Sequence, residues 1–418
     1  LLTVSGRADG SSVLAPGSKY AFFPSAAFAW RLSDERLLKN LSFMDDLKLR
    51  VGFGRTGNSA IDPYQTQGSL NMVRYVWDED VAIGYGAGGF PNSRLSWEAT
   101  SQVNLGLDFT FLKGRISGVI DMYRQNTDDL LMSRQLPIVS GFSQVLENIG
   151  KTRNSGFEAS ISTINVDSKS SGFTWSTDWM FYTNKEEIVE LYGGKQDDIG
   201  NRWFIGHPIG VHYDVKFAGI WQDSEEDHAE MAKFNANGHS YEPGLIRLVD
   251  QNGDYRVNAE DRVILGNDRA KWIGGITNRI AYKGFDWSFQ LYANWGTLLH
   301  FDKALRLEGR WNTVNVNYWT PQNKSNSYPK PSANWETPPD IGTLYYQDGS
   351  FVRVRYITLG YSFSRNLLEK IRTSSLRVYL TAQNPYLWTK FDGLDPEGAR
   401  GFDTPSQKTF MLGVNISL

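Results

Sequence analysis

Phe410-Met411-Leu412-Gly413-Val414-Asn415-Ile416-Ser417-Leu418 carries an apolar residue at every even position, with Met411, Gly413, Asn415 and Ser417 between them. Successive side chains of a strand point to opposite faces, so this segment has one wholly apolar face and one largely small or polar face. The same alternation recurs along the chain. Leu105, Leu107, Phe109 and Phe111 alternate with Asn104, Gly106, Asp108 and Thr110. Phe285, Trp287, Phe289 and Leu291 alternate with Asp286, Ser288, Gln290 and Tyr292, and Leu47, Leu49, Val51 and Phe53 with Lys48, Arg50, Gly52 and Gly54.

Such segments reach the roughly 9–11 residues that cross a bilayer as a tilted strand, and about thirteen can be counted. They lie near 1–9, 20–32, 47–56, 98–112, 115–136, 152–165, 173–184, 211–222, 271–282, 285–296, 350–364, 375–389 and 408–418, with a weaker fourteenth at Gly244–Val249. Short connections such as Leu112-Lys113-Gly114-Arg115 and Tyr282-Lys283-Gly284-Phe285 alternate with long ones, near 57–97, 186–210, 223–270, 297–349 and 390–407. Short turns on one side and long loops on the other are the habit of outer-membrane barrels. With the C-terminus facing the periplasm, loop 390–407 is expected outside. Helix signals are confined to Asp34–Asn40 and Arg365–Arg372.

The mean hydropathy of −0.41 is compatible with a membrane barrel, because each strand shows lipid only every second residue. No run approaches the roughly 18 apolar residues of a spanning helix. A net charge of −3 gives no field for nucleic acid. The absence of Cys excludes disulfides, thiol catalysis and Cys-based zinc sites. Leu1-Leu2-Thr3-Val4-Ser5 reads as the middle of a strand, so the chain is expected to be internal to a longer polypeptide. A soluble β-sandwich also alternates. Against it stand the long strands and the Trp residues near strand ends (Trp30, Trp97, Trp221, Trp272, Trp295 and Trp388), where amphipathic rings favour a membrane interface. The fold expected is all-β, a transmembrane antiparallel barrel.

Several segments, in order, resemble the SusC/RagA-type TonB-dependent outer-membrane transporters. They are Arg7-Ala8-Asp9-Gly10-Ser11-Ser12 with Phe23-Pro24-Ser25-Ala26, the strand Arg50–Asn58 ending in Thr-Gly-Asn, Asn148–Glu158, Tyr282–Asp286, Thr358–Ser362, Gln383-Asn384-Pro385 and Gly393-Leu394-Asp395-Pro396-Glu397. The resemblance spans essentially all of 1–418. It implies that this is the C-terminal part of a barrel of about 22 strands with a plugged lumen. The N-terminal plug, the TonB-contacting segment and the first strands would lie outside the chain. One departure is Leu418, where such barrels usually end on an aromatic residue. The resemblance further implies a bacterial outer-membrane location and import of oligosaccharides or oligopeptides. The partners implied are a SusD-like surface lipoprotein as lid, TonB through the missing N-terminal part, and outer-membrane lipid, with room for a dimer of transporter–lid pairs. A siderophore or cobalamin receptor, and a soluble carbohydrate-binding β-protein, are the competing functions.

One local motif carries metal chemistry. Asp250-Gln251-Asn252-Gly253-Asp254-Tyr255-Arg256-Val257-Asn258-Ala259-Glu260-Asp261 matches a 12-residue calcium loop, with Asp250, Asn252, Asp254, Asn258 and Asp261 offering side-chain oxygens and Arg256 its carbonyl. Tyr255 stands where the turn favours Gly, and Asp261 where the longer Glu is usual. A structural Ca²⁺ pinning an outer loop and an ion-free Asx-rich turn both remain open. Gly52–Gly57 fits G-x-G-x-x-G, but Asn58–Pro63 is no helix start, so no dinucleotide site is expected. The five histidines form no HExxH array, and the scattered acids Asp78-Glu79-Asp80, Asp197-Asp198 and Glu225-Glu226-Asp227 read as solvated loop charge. No organic cofactor, catalytic group or enzyme activity is expected. Loop aromatics (Tyr64, Tyr75, Trp77, Trp203, Trp311, Trp319 and Trp335) suit sugar stacking or partner packing alike, and none is assigned to substrate.

Overall fold

A computed structural model describes residues 1–301, 315–332, 337–370, 372–398 and 406–417. Twelve strands form one antiparallel sheet in strict chain order: β1 Leu2–Gly10, β2 Tyr20–Arg31, β3 Met44–Asn58, β4 Glu98–Phe111, β5 Ile116–Asp128, β6 Lys151–Ser168, β7 Phe173–Glu190, β8 Trp272–Tyr282, β9 Phe285–Trp295, β10 Phe351–Ser362, β11 Ser375–Thr389 and β12 Thr409–Ser417. Among the described residues, β1 pairs only with β2 and β12 only with β11, so the sheet has two open edges.

The connections sort by side. Those at 11–19, 59–97, 129–150, 191–271, 296–350 and 390–408 leave one end, and 32–43, 112–115, 169–172, 283–284 and 363–374 leave the other. The tightest is Lys283-Gly284, with φ of 46° and 89°. Two consecutive positive φ values give the turn whose twist suits a two-residue hairpin. A Cβ on Gly284 would also fall 2.7 Å from the Ser362 carbonyl, so glycine is required there twice over.

Register makes the alternation continuous across strands. Leu2, Phe28, Val51, Leu105, Met122 and Phe157 face each other in turn from β1 to β6. Trp175, Ile280, Trp287, Leu359, Leu380 and Leu412 do so from β7 to β12. These rows are uncovered: Leu380 is 51% and Leu412 77% exposed. A β-sandwich would bury them between sheets at interior packing density. The soluble alternative is therefore overturned, and the apolar face is the membrane face. The opposite face carries lines such as Ser5, Ser25, Gly54, Gln102, Gln125, Asn154 and Glu186.

Three expectations are corrected. Among the described residues the sheet has twelve strands rather than thirteen or fourteen, because 211–222 and Gly244–Val249 pair outside it. Val211–Val215 pairs with Arg262–Asn267, and Phe217–Ile220 with Ile246–Leu248, in separate two-stranded sheets. The stretch 115–136 is β5 plus a loop strand, Leu131–Gln135, paired with Gln144–Asn148. Trp221 is no interface residue. It is 1% exposed, packed with Met231, Phe234 and Leu245.

That packing belongs to a small module on the long-loop side. Its other half joins Val215, Ile220, Ile246, Leu248, Trp319 and Ile341. A helix, Glu225–Ala236, covers it. Ser224 caps the helix by accepting from the Asp227 amide at 3.2 Å, and three acids fill the first turn, complementing the dipole. The sequence reading missed this helix. Near the short-turn side, Arg365–Lys370 is helical within the expected Arg365–Arg372, while the expected Asp34–Asn40 forms only turns that follow a 3₁₀ turn at Leu32–Asp34.

Candidate functional site

The polar wall of the sheet is the first element of the site. Arg50 on β3 donates from Nε to Asp108 at 2.9 Å and from a terminal nitrogen to Asp121 at 3.1 Å, bridging three strands. Lys48 joins Asp108 at 3.2 Å. Arg377 on β11 forks onto Asp286 on β9 at 2.9 and 2.6 Å, and Arg279 pairs with Asp178. Glycine makes these bridges sterically open. A Cβ on Gly106 would lie 2.5 Å from the Arg50 Cζ, and one on Gly360 2.5 Å from Arg377 and from Asp286. The pairs are part exposed, so each adds little stability. Their consequence is a charged, hydrophilic lining.

At the long-loop end the last loop is drawn onto β10. Arg353, 2% exposed, donates to Asp395, 1% exposed, at 2.5 Å. Arg355 forks onto Glu397 and lies over the Tyr292 ring at 4.2 Å. Asp395 also accepts from Ser406 and from the Glu397 amide. Both acids lie in Gly393-Leu394-Asp395-Pro396-Glu397, and their arginine partners went unread in the sequence. Two arginines two apart in an otherwise apolar strand, Phe351-Val352-Arg353-Val354-Arg355, were the available signal, since buried charge needs a partner.

The calcium-type loop Asp250–Asp261 lies in the outer module. Each Asx side chain is turned onto backbone amides. Asp250 accepts from Gly253 at 2.7 Å and Tyr255 at 2.8 Å, Asn252 from Asp254 at 3.0 Å, and Asp254 from Arg256 at 2.8 Å. Asn258 accepts from Glu260 at 2.7 Å, and Asp261 from Gln251 and Asn258, each at 2.8 Å. Asp261 is fully buried. Among the described residues, no three His, Asp or Glu side chains gather closely enough to hold a metal by themselves. Tyr255 has φ of 60°, the left-handed conformation that made Gly the expected residue. Its ring packs on Phe234 at 5.4 Å with Lys233 over it at 5.2 Å, which offsets the strain. Nearby, burial pushes the Tyr241 hydroxyl up to about 12 and raises the Asp340 carboxyl above its usual range.

Two further features crown the long-loop side. A cavity of about 390 Å³ separates loops 59–97 and 129–150, walled by Asp62, Gln65, Ser69, Ser133 and Gln144. The edge-to-face pair Phe90–Phe142 stands beside it. The hairpin Leu70–Trp77/Asp80–Ala87 projects with Leu70, Val76, Trp77, Val81 and Tyr85 each about 70% exposed. Of the loop aromatics, Tyr64, Tyr75 and Trp77 are exposed. Trp319 is buried, donating to Gln222 at 3.0 Å, while Trp311 and Trp335 lie outside the described residues.

An apolar belt around a charged wall, with short turns at one end and elaborate loops at the other, defines an outer-membrane β-barrel wall. The chain belongs to the TonB-dependent receptor-like β-barrel family, whose model matches residues 1–385. It is 32% identical over 439 residues to the TonB-dependent receptor SusC of Bacteroides thetaiotaomicron, covering 100% of this chain and 42% of that protein. It is 31% identical over 451 residues to TonB-dependent receptor P26 of Formosa agariphila, covering 100% of this chain and 44% of that one. The RagAB peptide transporter structure superposes with a TM-score of 0.80 at 25% identity, over 100% of this chain and 46% of that one. The chain thus spans less than half the length of these relatives.

Proposed function

We propose that this chain forms the C-terminal wall of an outer-membrane importer of oligosaccharides or oligopeptides. Strands and a plug from the same receptor complete the barrel, because two open edges in lipid would each leave a row of unsatisfied backbone groups. TonB powers uptake through the plug, and a SusD-like lipoprotein closes the outer mouth. The match of this whole chain to part of SusC and of the RagAB peptide transporter carries this reading. The apolar hairpin Leu70–Ala87 offers the lid a surface that water would otherwise have to solvate. The charged lining and the polar cavity suit hydrated cargo, and the work is transport with no bond made or broken. The test is to purify the intact receptor from its native outer membrane and identify what accompanies it by mass spectrometry. A surface lipoprotein and an oligosaccharide or oligopeptide are expected. A barrel carrying an iron chelate and no lipoprotein would overturn the reading.

We further propose that Asp250–Asp261 takes a structural Ca²⁺. The oxygens of Asp250, Asn252, Asp254, Asn258 and Asp261 and the Arg256 carbonyl would hold it, so that it stiffens the outer module. The support is the ligand spacing and the fully buried Asp261, whose carboxyl accepts from the Gln251 and Asn258 amides. Calcium at about 100 times its dissociation constant would add about 2.7 kcal/mol. The melting temperature should rise with Ca²⁺ and fall with chelator in the parent receptor, and respond to neither in Asp254→Asn. A parent receptor indifferent to both would exclude the ion.

A further inference from the structure

The membrane face is not uniformly apolar. On β3, β5 and β7 the lipid-facing row gives way, toward the long-loop end, to Arg55, Arg124 and Lys185. The register fixes their placement. Phe53, Val103, Arg124, Ser155 and Lys185 form one line across five strands. Arg55 heads the next line out, opposite Ser101. The line below is Val51, Leu105, Met122 and Phe157, apolar as far as Thr183 on β7. At roughly 4.8 Å per strand, Arg124 and Lys185 stand about 10 Å apart with the small Ser155 between them. Arg55 and Arg124 are exposed and make no ion pair among the described residues, whereas Arg153 on the same face is held by Glu187 at 2.9 Å. Lys185 also touches Glu187 at 3.0 Å, yet its side chain is 73% exposed.

Directly under Arg124 the wall is concave. Val103, Leu105, Met122, Arg124 and Ser155 line a groove of about 530 Å³. Ser155 leaves the gap, since its larger neighbours rise on either side. A trough that is apolar below and cationic above, at the level where the strand leaves hydrocarbon for headgroups, matches one kind of ligand. Arginine at this depth reaches the headgroup layer, and its planar fork binds a phosphate bidentately. We infer that Arg55, Arg124 and Lys185 with the groove below them form a binding site for an outer-leaflet phosphoglycolipid, the lipid A of lipopolysaccharide. Its phosphate sits on the two unpaired arginines, and an acyl chain lies along Val103, Leu105 and Met122. The outer leaflet is the source because all three cations lie toward the long-loop end of their strands.

The intact receptor, extracted in mild detergent, should retain about one lipid A per barrel when the bound lipid is weighed. In the double variant Arg55→Ser/Arg124→Ser the retained lipid A should fall by about tenfold. Heat-dependent gel mobility, the mark of a folded barrel, should not change. Ser155→Phe keeps every charge, fills the groove and should expel the lipid as well. In reconstituted discs, lipopolysaccharide should raise the melting temperature of the parent and not of the variants. Equal lipid A in parent and variants would overturn the site, as would equal stabilisation by phosphatidylglycerol. So would this face being buried against a second barrel with no lipid between.

Discussion

Asp395→Ala should free the last outer loop and cost about 3–5 kcal/mol, the largest single-residue effect expected outside the membrane face. The reason is what stays behind. Arg353 is 2% exposed, so a guanidinium left without its partner there stays cut off from water. Its Nε is already without a hydrogen bond, lying 3.6 Å from Glu397. Asp395 is its short-range counter-charge and also gathers the Ser406 hydroxyl and the Glu397 amide. Alanine there leaves a buried guanidinium, a hydroxyl and an amide without that acceptor at once. Hydrogen exchange over 390–398 should accelerate accordingly, while β1 to β5 keep the parent's protection. The double variant Arg353→Met/Asp395→Leu removes both charges, and Glu397 keeps Arg355. It should recover most of the loss, since a buried pair replaced by apolar residues is often neutral. Single and double variants that exchange alike would mean the pair does not pin the loop.

The contrast between this pair and the strands shows what a sequence makes legible. Alternation is local, so β12 could be read from Phe410, Leu412, Val414 and Ile416 alone. Arg353 and Asp395 lie 42 residues apart, joined only by the fold. Alternation also reveals that a face is buried without revealing against what. Val211, Tyr213, Val215 and Phe217 alternate as well as any barrel strand, yet their partners come from 246–248 and 262–267 within the same loop. That misreading supplied the thirteenth strand, and the weaker signal at Gly244–Val249 the fourteenth. The helix Glu225–Ala236 was legible in Ser224-Glu225-Glu226-Asp227, an N-cap before an acidic first turn, but it buries only Met231 and Phe234, too few apolar positions to mark a periodic face. The calcium-type loop was legible as spacing, and the left-handed Tyr255 agrees with its expected turn. Whether its oxygens meet an ion depends on side-chain rotations that no spacing encodes.

Leu380→Arg should destabilise the intact barrel by about 2–4 kcal/mol, whereas Met411→Arg should change it by about 1 kcal/mol or less. The two positions are next to each other in the sheet. Leu380 pairs with Leu412, and Met411 with Thr381, one step along the same two strands. Both side chains are accessible, at 51% and 39%, so neither substitution needs space made for it. They differ in parity alone. Leu380 continues the row Trp287, Leu359 and Leu412, while Met411 shares its face with Gly413, opposite Tyr379. From Ser375, Leu380 is five residues along the strand, about 17 Å at 3.4 Å per residue. A tilt of about 45° makes this about 12 Å of depth, near the middle of a 25 Å apolar band, where a guanidinium is most costly. Refolding the two variants of the intact receptor into lipid vesicles against denaturant compares them directly. Because a register slip of one residue would exchange the two faces, the comparison tests orientation as well as location. Equal losses at both positions would mean that lipid does not meet the Leu380 face, and the assignment of inside and outside for β9 to β12 would have to be reversed or abandoned.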